Sequence, residues 1–248
     1  MEEECTSILL NKTFPTINFR EARQLLVKPI GSNWVYKTKH NPDRTIRYKA
    51  CLVIEGYKQT DIGETYAPVG KLTTFRYLIS LVRKYGLNID HLYVVTAFLN
   101  SEVDDDDIYM ILPEGWPEGL HTPTIIVRLK KALYCVKQAP RLWHNDINTI
   151  LLSLEFKLSL ADPNLYRRSD GILMLLYLDD ISMLYPEEAT QAAIEVKARL
   201  SEKYKITNLS LARQFLGIEI HREDNSTGTG SGSAFSLGQK TLITTILE

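Results

Sequence analysis

The sequence predicts an α+β fold in which helices pack on a mixed or antiparallel sheet. Apolar residues recur at helical spacing in two places, Leu72, Phe75, Ile79 and Val82, and Trp143, Ile147, Ile150, Leu151 and Leu154. Gly171 to Tyr185 is a near-continuous apolar run broken only by Asp179, Asp180 and Ser182. Such a run with a two-residue polar centre reads as a β-hairpin. Strands and helices otherwise alternate irregularly along the chain.

The elements follow in order. Asn33 to Lys39 reads as a strand, Asn41-Pro42-Asp43 as a turn, and Arg47 to Ile54 as the partner strand. Gly86 stops the helix that carries Leu72 to Val82. Ile89 to Val95 is β-rich and apolar, a mostly buried strand. Pro140 sits well as the first residue of the next helix. Pro186, Glu187 and Glu188 open another, with acidic residues at the favoured end of its dipole. Ala189, Ala193, Val196 and Leu200 form its apolar face, and Leu209 to Ile220 is strand-like again. Ser226 to Ser233 contains only Ser, Thr and Gly and reads as a flexible connection. Ala234 to Glu248 looks like the start of a further element.

Composition excludes several classes. An apolar share of 44% in 248 residues is enough for a core, and a 24% charged share is ordinary for a globular chain. The net charge of -1 and pI near 6.5 are not those of a dedicated nucleic-acid module, although a chain of low net charge can still gather cations in one cleft. Cys5, Cys51 and Cys135 are odd in number and widely spaced, which argues for free thiols and against a zinc site. Met1 to Thr6 carries three Glu and no signal-peptide core, and no apolar run is long enough for a membrane span. The expected location is intracellular, cytoplasm or nucleus, with no membrane partner.

Tyr177-Leu178-Asp179-Asp180 carries the chemistry. An ionised carboxylate inside an apolar run is costly unless it is paired or bound to a metal. Mg²⁺ supplies such a partner, because it takes a few carboxylate oxygens together with phosphates and waters. Two-metal phosphoryl-transfer sites bridge ions ~4 Å apart with carboxylates. The plain alternative is a structural β-turn, where Asp is common.

Tyr-Leu-Asp-Asp between apolar strands resembles the Tyr-X-Asp-Asp box of reverse transcriptases, and further blocks match the copia-type subfamily in order. They are Ile30 to Lys37, Arg47 to Val53, Tyr66-Ala67-Pro68-Val69 with Lys71 to Thr74, and Thr96-Ala97-Phe98-Leu99-Asn100. Ile108-Tyr109-Met110 with Pro113 to Trp116, Lys131 to Tyr134, Lys137 to Trp143, and Phe215 to Ile220 follow. The resemblance covers roughly Asn11 to Glu248.

The resemblance implies a right hand of fingers and palm with the thumb largely missing. Residues 11–222 would form fingers (about 30–86 and 113–158) and palm (about 87–112 and 159–222). Residues 223–233 would be a linker, and 234–248 a truncated start of thumb or connection. It further implies two Mg²⁺ ions, an RNA or DNA template-primer and deoxynucleoside triphosphates. Asp179 and Asp180 would be catalytic and hold metal, with the Val94 backbone carbonyl as a further ligand. Phe98 resembles the steric gate that rejects a ribose 2′-OH; its bland reading is a core aromatic. Arg47 and Lys49 would face the triphosphate, where cations neutralise developing charge; otherwise they are exposed strand residues. Gln138, with Pro140 and Arg141, resembles the block shaping the nucleotide pocket. Phe215, Leu216, Gly217 and Ile218 resemble the primer grip, or else a hairpin that only packs.

One departure matters most. Where the family reads Asp-Val-Lys-Thr-Ala-Phe-Leu, this chain reads Tyr93-Val94-Val95-Thr96-Ala97-Phe98-Leu99. Tyr93 thus replaces the first metal-binding Asp, and a phenol with a pKa of about 10 is a poor Mg²⁺ ligand. Strand alternation turns Asp90 away from position 93. His91 shares its face, but imidazole is a poor substitute for a hard ion. Asp104 to Asp107 reads as a solvated loop. Cys51 replaces a usual Arg, Glu55 a usually basic residue, and Cys135 a Gly whose loss should strain a turn. Three readings remain. The first is a polymerase domain impaired by Tyr93. The second is a catalytically dead retrotransposon remnant that folds and at most binds nucleic acid. The third is an unrelated α+β protein. Protease, integrase and RNase H signatures are absent, so the chain looks like part of a longer polyprotein or a fragmentary open reading frame.

Overall fold

The computed structural model describes residues 1–15, 28–40, 45–60, 63–103, 108–116, 125–211, 214–215, 218–223 and 234–238. The fold is α+β, and every sheet among the described residues is antiparallel. The chain divides into two compact units, residues 1–67 with 96–146, and residues 68–95 with 147–248. No helix among the described residues is long and apolar enough to cross a membrane.

In the first unit, α1 (Glu2–Leu10) precedes the ribbon of β1 (Ser32–His40) and β2 (Ile46–Ile54). The Asn41-Pro42-Asp43 turn lies outside the described residues, but the expected antiparallel pairing is present, with Trp34 opposite Leu52. β4 (Tyr109–Ile111) pairs with β5 (Ile126–Arg128), numbered after the strand β3 (Asn88–Val94) of the second unit. Ile8, Leu52, Ile54, Leu99, Met110 and Val127 share one buried cluster. Trp34 stacks on Trp116 at 6.0 Å between ring centres. Asp104 to Asp107 lies outside the described residues.

The second unit is built on a six-stranded sheet. It contains β3, β6 (Lys157–Leu158), β7 (Leu165–Arg167), β8 (Leu173–Tyr177), β9 (Asp180–Tyr185) and β10 (Ile206–Leu211), in the order β10-β3-β9-β8-β7-β6. The helix α2 (Leu72–Tyr85) buries Phe75, Leu78, Ile79 and Val82 against Ile89, Leu175 and Leu184 of this sheet. Gly86 ends α2 with φ 64° and its N–H donates to the Val82 carbonyl, the left-handed cap that glycine adopts without strain. Leu72, expected on the apolar stripe, is instead exposed at the helix start, and Leu78 takes its place in the core. Gly70 has a steric reason: a Cβ there would lie 2.4 Å from the Leu176 carbonyl oxygen.

Helix α3 (Ala139–Ser153) buries Trp143, Ile147 and Leu151, and Pro140 is its second residue, within the first turn that tolerates proline. A 3₁₀ turn, Glu187–Ala189, leads into α4 (Thr190–Lys203), whose Ala193, Val196 and Leu200 are buried as the spacing predicts. The strand-like stretch 209–220 is not one strand. β10 ends at Leu211, and β11 (Gln214–Phe215) pairs with β12 (Ile218–Glu223) in a separate sheet. Ala234–Gly238 is a strand, β13, paired antiparallel with β12.

Candidate active site

β8 and β9 form the expected hairpin. Tyr177 pairs with Asp180, leaving Leu178 and Asp179 as a two-residue turn. Leu178 has φ 53° and Asp179 does not share the positive sign, the φ pattern of a type II′ turn. Glycine is the usual residue at that first position, and a leucine there costs about 1–2 kcal/mol. Strain of this kind persists where the surroundings over-determine it. Here the surrounding restraint is visible, since the Val94 N–H donates to the Asp179 carbonyl at 2.8 Å, tying the turn to the end of β3.

The hairpin runs beside β3, with Tyr93 opposite Asp180 and His91 opposite Ser182. Alternation therefore places His91, Tyr93, Asp180 and Ser182 on one face. His91 is buried and its Nε2 lies 2.6 Å from Asp180 Oδ1. Asp90 points the other way, as alternation predicts. It accepts from Lys197 Nζ at 2.8 Å and from the Tyr185 hydroxyl at 3.0 Å. Burial, with the Asp90 charge beside it, pushes the Tyr185 phenol up to about 12.

This donor set does not fit a pair of Mg²⁺ ions. Two bridged ions need several carboxylate oxygens within reach. Position 93 offers a phenol, Asp180 already meets His91, and no group of three or more His, Cys, Asp or Glu side chains able to hold a metal occurs among the described residues.

The remaining site positions are placed as follows. Val94 is buried at the end of β3. Phe215 pairs with Ile218, which is buried in the α2 cluster, while Leu216 and Gly217 lie outside the described residues. Tyr93, Val94, Asp179 and Asp180 thus converge in the second unit. Arg47, Lys49, Phe98 and Gln138 belong to the first unit. There Phe98 is half-buried and meets Tyr134 edge-on at 5.6 Å, in the 3₁₀ turn Ala97–Asn100. Gln138 is buried, and its side-chain oxygen accepts from Gln59 Nε2 at 3.0 Å. Gln59 also accepts the Lys137 N–H at 2.9 Å, a clamp that sequence reading missed because its partners are 78 and 79 positions apart. Arg47 lies on the exposed part of β2 and Lys49 is half-buried.

Cys135 shows the expected strain, and Glu55 does not. Cys135 has φ 70°, the left-handed region that glycine occupies freely. Glu55 accepts from Lys58, Tyr57 and Asn33, and the Lys58 ammonium holds its carboxyl below the usual range.

Comparison with known proteins agrees with the motif order. The family model described as reverse transcriptase (RNA-dependent DNA polymerase) matches residues 19–233. The Retrovirus-related Pol polyprotein from transposon TNT 1-94 of Nicotiana tabacum is 32% identical over 234 residues, which is 91% of this chain and 17% of that protein. The Retrovirus-related Pol polyprotein from transposon RE2 of Arabidopsis thaliana is 35% identical over 200 residues, 78% of this chain and 14% of that protein. The Transposon Ty1-BR Gag-Pol polyprotein of Saccharomyces cerevisiae is 24% identical over 230 residues, 88% of this chain and 12% of that protein. The chain thus spans less than a fifth of the length of these relatives. With a family model over most of its length and copia-type Pol polyproteins as relatives, the chain belongs to the reverse transcriptase (RNA-dependent DNA polymerase) family.

Proposed function

We propose that the chain is the fingers and palm of an RNA-directed DNA polymerase whose nucleotidyl transfer is impaired by Tyr93. In this reading the fingers take residues 30–86 and 113–158, and the palm 87–112 and 159–222. Asp179, Asp180 and the Val94 carbonyl mark where the family would hold two Mg²⁺ ions. Arg47, Lys49, Phe98 and Gln138 would meet a deoxynucleoside triphosphate, and Phe215 to Ile218 would grip the primer of an RNA or DNA template-primer. The observation that carries the reading is the pairing of Tyr93 with Asp180 on the site face, where the family motif puts a carboxylate.

Without that carboxylate the site lacks a ligand that a two-metal step needs. What its own residues offer is a restrained turn presenting Asp179, and an Asp180 side chain oriented by His91. The same contact favours a second reading, a folded remnant that binds nucleic acid without synthesis, because His91 already engages a carboxylate assigned to metal.

Primer extension on an RNA template, first with Mg²⁺ and then with Mn²⁺, tests the proposal. Little or no extension is expected. Robust extension with Mg²⁺ overturns the claim of impairment. Template-primer binding measured without metal separates the two readings from an unrelated fold use, because both require it.

A further inference from the structure

The β1–β2 ribbon sets like charges directly across from each other. Lys37 pairs with Lys49, and Arg47 lies two positions from Lys49 on the same strand face. Facing cations destabilise a strand pair unless an anion lies among them. The chain supplies one itself. The first turn of α1 carries Glu2, Glu3 and Glu4, and Glu3 Oε2 lies 3.0 Å from Arg47 Nη2.

The helix is held there by other contacts. Ile8 is buried in the same cluster as Leu52 and Ile54, and Cys5 is also buried. Glu4 is buried and accepts the Leu52 N–H at 3.4 Å, on an edge of β2. Burial raises the Glu4 carboxyl, although the Leu52 N–H and the Lys49 charge oppose that shift. Glu3, in contrast, is 87% exposed and Arg47 61% exposed. The Glu3 side chain can therefore swing away while the helix stays seated.

We infer that the acidic first turn of α1 is an intramolecular competitor for the basic face of the ribbon, holding Arg47 on Glu3 until a polyphosphate displaces it. This rests on the reading of Arg47 and Lys49 as triphosphate contacts. An exposed ion pair contributes little, so the contact tunes affinity by a small factor and does not act as an on-off switch.

The test is calorimetric titration of the full chain with inorganic tripolyphosphate, which needs no catalysis. Glu3→Gln should tighten binding about two- to five-fold at low salt, the range set by one exposed pair. The gain should shrink as ionic strength rises. In an Arg47→Gln background the Glu3→Gln gain should vanish, since the two residues act through one contact. If Arg47→Gln weakens binding but Glu3→Gln changes nothing, the competitor is overturned and the triphosphate reading survives. If Arg47→Gln leaves binding unchanged, the triphosphate reading of Arg47 falls and the competitor falls with it.

Discussion

Tyr93 and Asp180 face each other across the β3–β9 pair, so whatever side chain occupies position 93 meets the Asp180 carboxylate on one sheet face. Tyr93→Asp would set two carboxylates opposite each other. Like charges in that position destabilise by roughly 0.2–1 kcal/mol. A divalent cation between them removes that repulsion. The variant is expected to unfold at lower urea concentration than the parent without divalent ions, and to regain the loss with Mg²⁺. Its primer extension should also exceed the parent's. A variant whose urea midpoint ignores Mg²⁺ would show that the site cannot be rebuilt by this one change.

Cys135 holds φ 70°, and its backbone is crowded by Gly56, where a Cβ would fall 1.8 Å from the Cys135 carbonyl oxygen. A non-glycine residue in the left-handed region costs about 1–2 kcal/mol. Replacement by glycine returns about 0.4–1 kcal/mol of that to unfolded-chain freedom. Cys135→Gly should therefore stabilise by roughly 0.5–1 kcal/mol, read from the urea midpoint. Gly56→Ala should destabilise. A midpoint that falls in Cys135→Gly would contradict the strain argument.

Asp162 is fully buried and joins the start of α2 to the loop before β7. It accepts from the Thr74 hydroxyl at 2.6 Å and from the Lys71 and Asn164 N–H groups at 3.0 Å. Burial pushes its carboxyl up, but these donors outweigh burial and the folded value lies below the ordinary one. A depressed carboxylate contributes stability above its unfolded pKa of about 3.9 and loses it as pH falls through the folded value. Asp162→Ala leaves three donors without this acceptor and should cost about 2–4 kcal/mol at neutral pH. Asp162→Asn should flatten the acid limb of the stability profile. An acid limb identical to the parent's would remove Asp162 from the account.

Of the 13 tyrosines in the sequence, Tyr166 and Tyr185 have phenols pushed up, both to about 12. Burial is the cause at Tyr166, whose hydroxyl donates to Asn148 at 2.9 Å. Burial and then the Asp90 carboxylate act at Tyr185. Because both folded values exceed the unfolded one of about 10, their contribution is intact below pH ~10 and is lost as pH rises through about 12. Ultraviolet titration should show phenolate formation continuing to about pH 12, and Tyr185→Phe should remove one proton from that late phase. Its loss of the Asp90 contact should cost about 1 kcal/mol at neutral pH.

Local patterns carried much of this fold in plain view. The β8–β9 hairpin, the apolar faces of α2 and α4, the glycine stop at Gly86 and the outward turn of Asp90 all follow from periodicity or alternation. The stress at Cys135 was legible from one unusual residue in a glycine position. Other features were not. Nothing local marks Leu178 as the residue with positive φ, since leucine is not chosen for that conformation. Nothing local joins Asp162 to Thr74 across 88 positions, or Glu3 to Arg47 across 44.

Residue order alone pointed to the family, the acidic pair between apolar strands and the tyrosine at position 93, because these depend on identity and spacing along the chain. The fold was needed to put Tyr93 across from Asp180, to bring His91 within 2.6 Å of that carboxylate and to seat α1 on the basic ribbon. Strand register and long-range side-chain contacts arise from the joint packing of distant segments, and no local stretch of sequence encodes them.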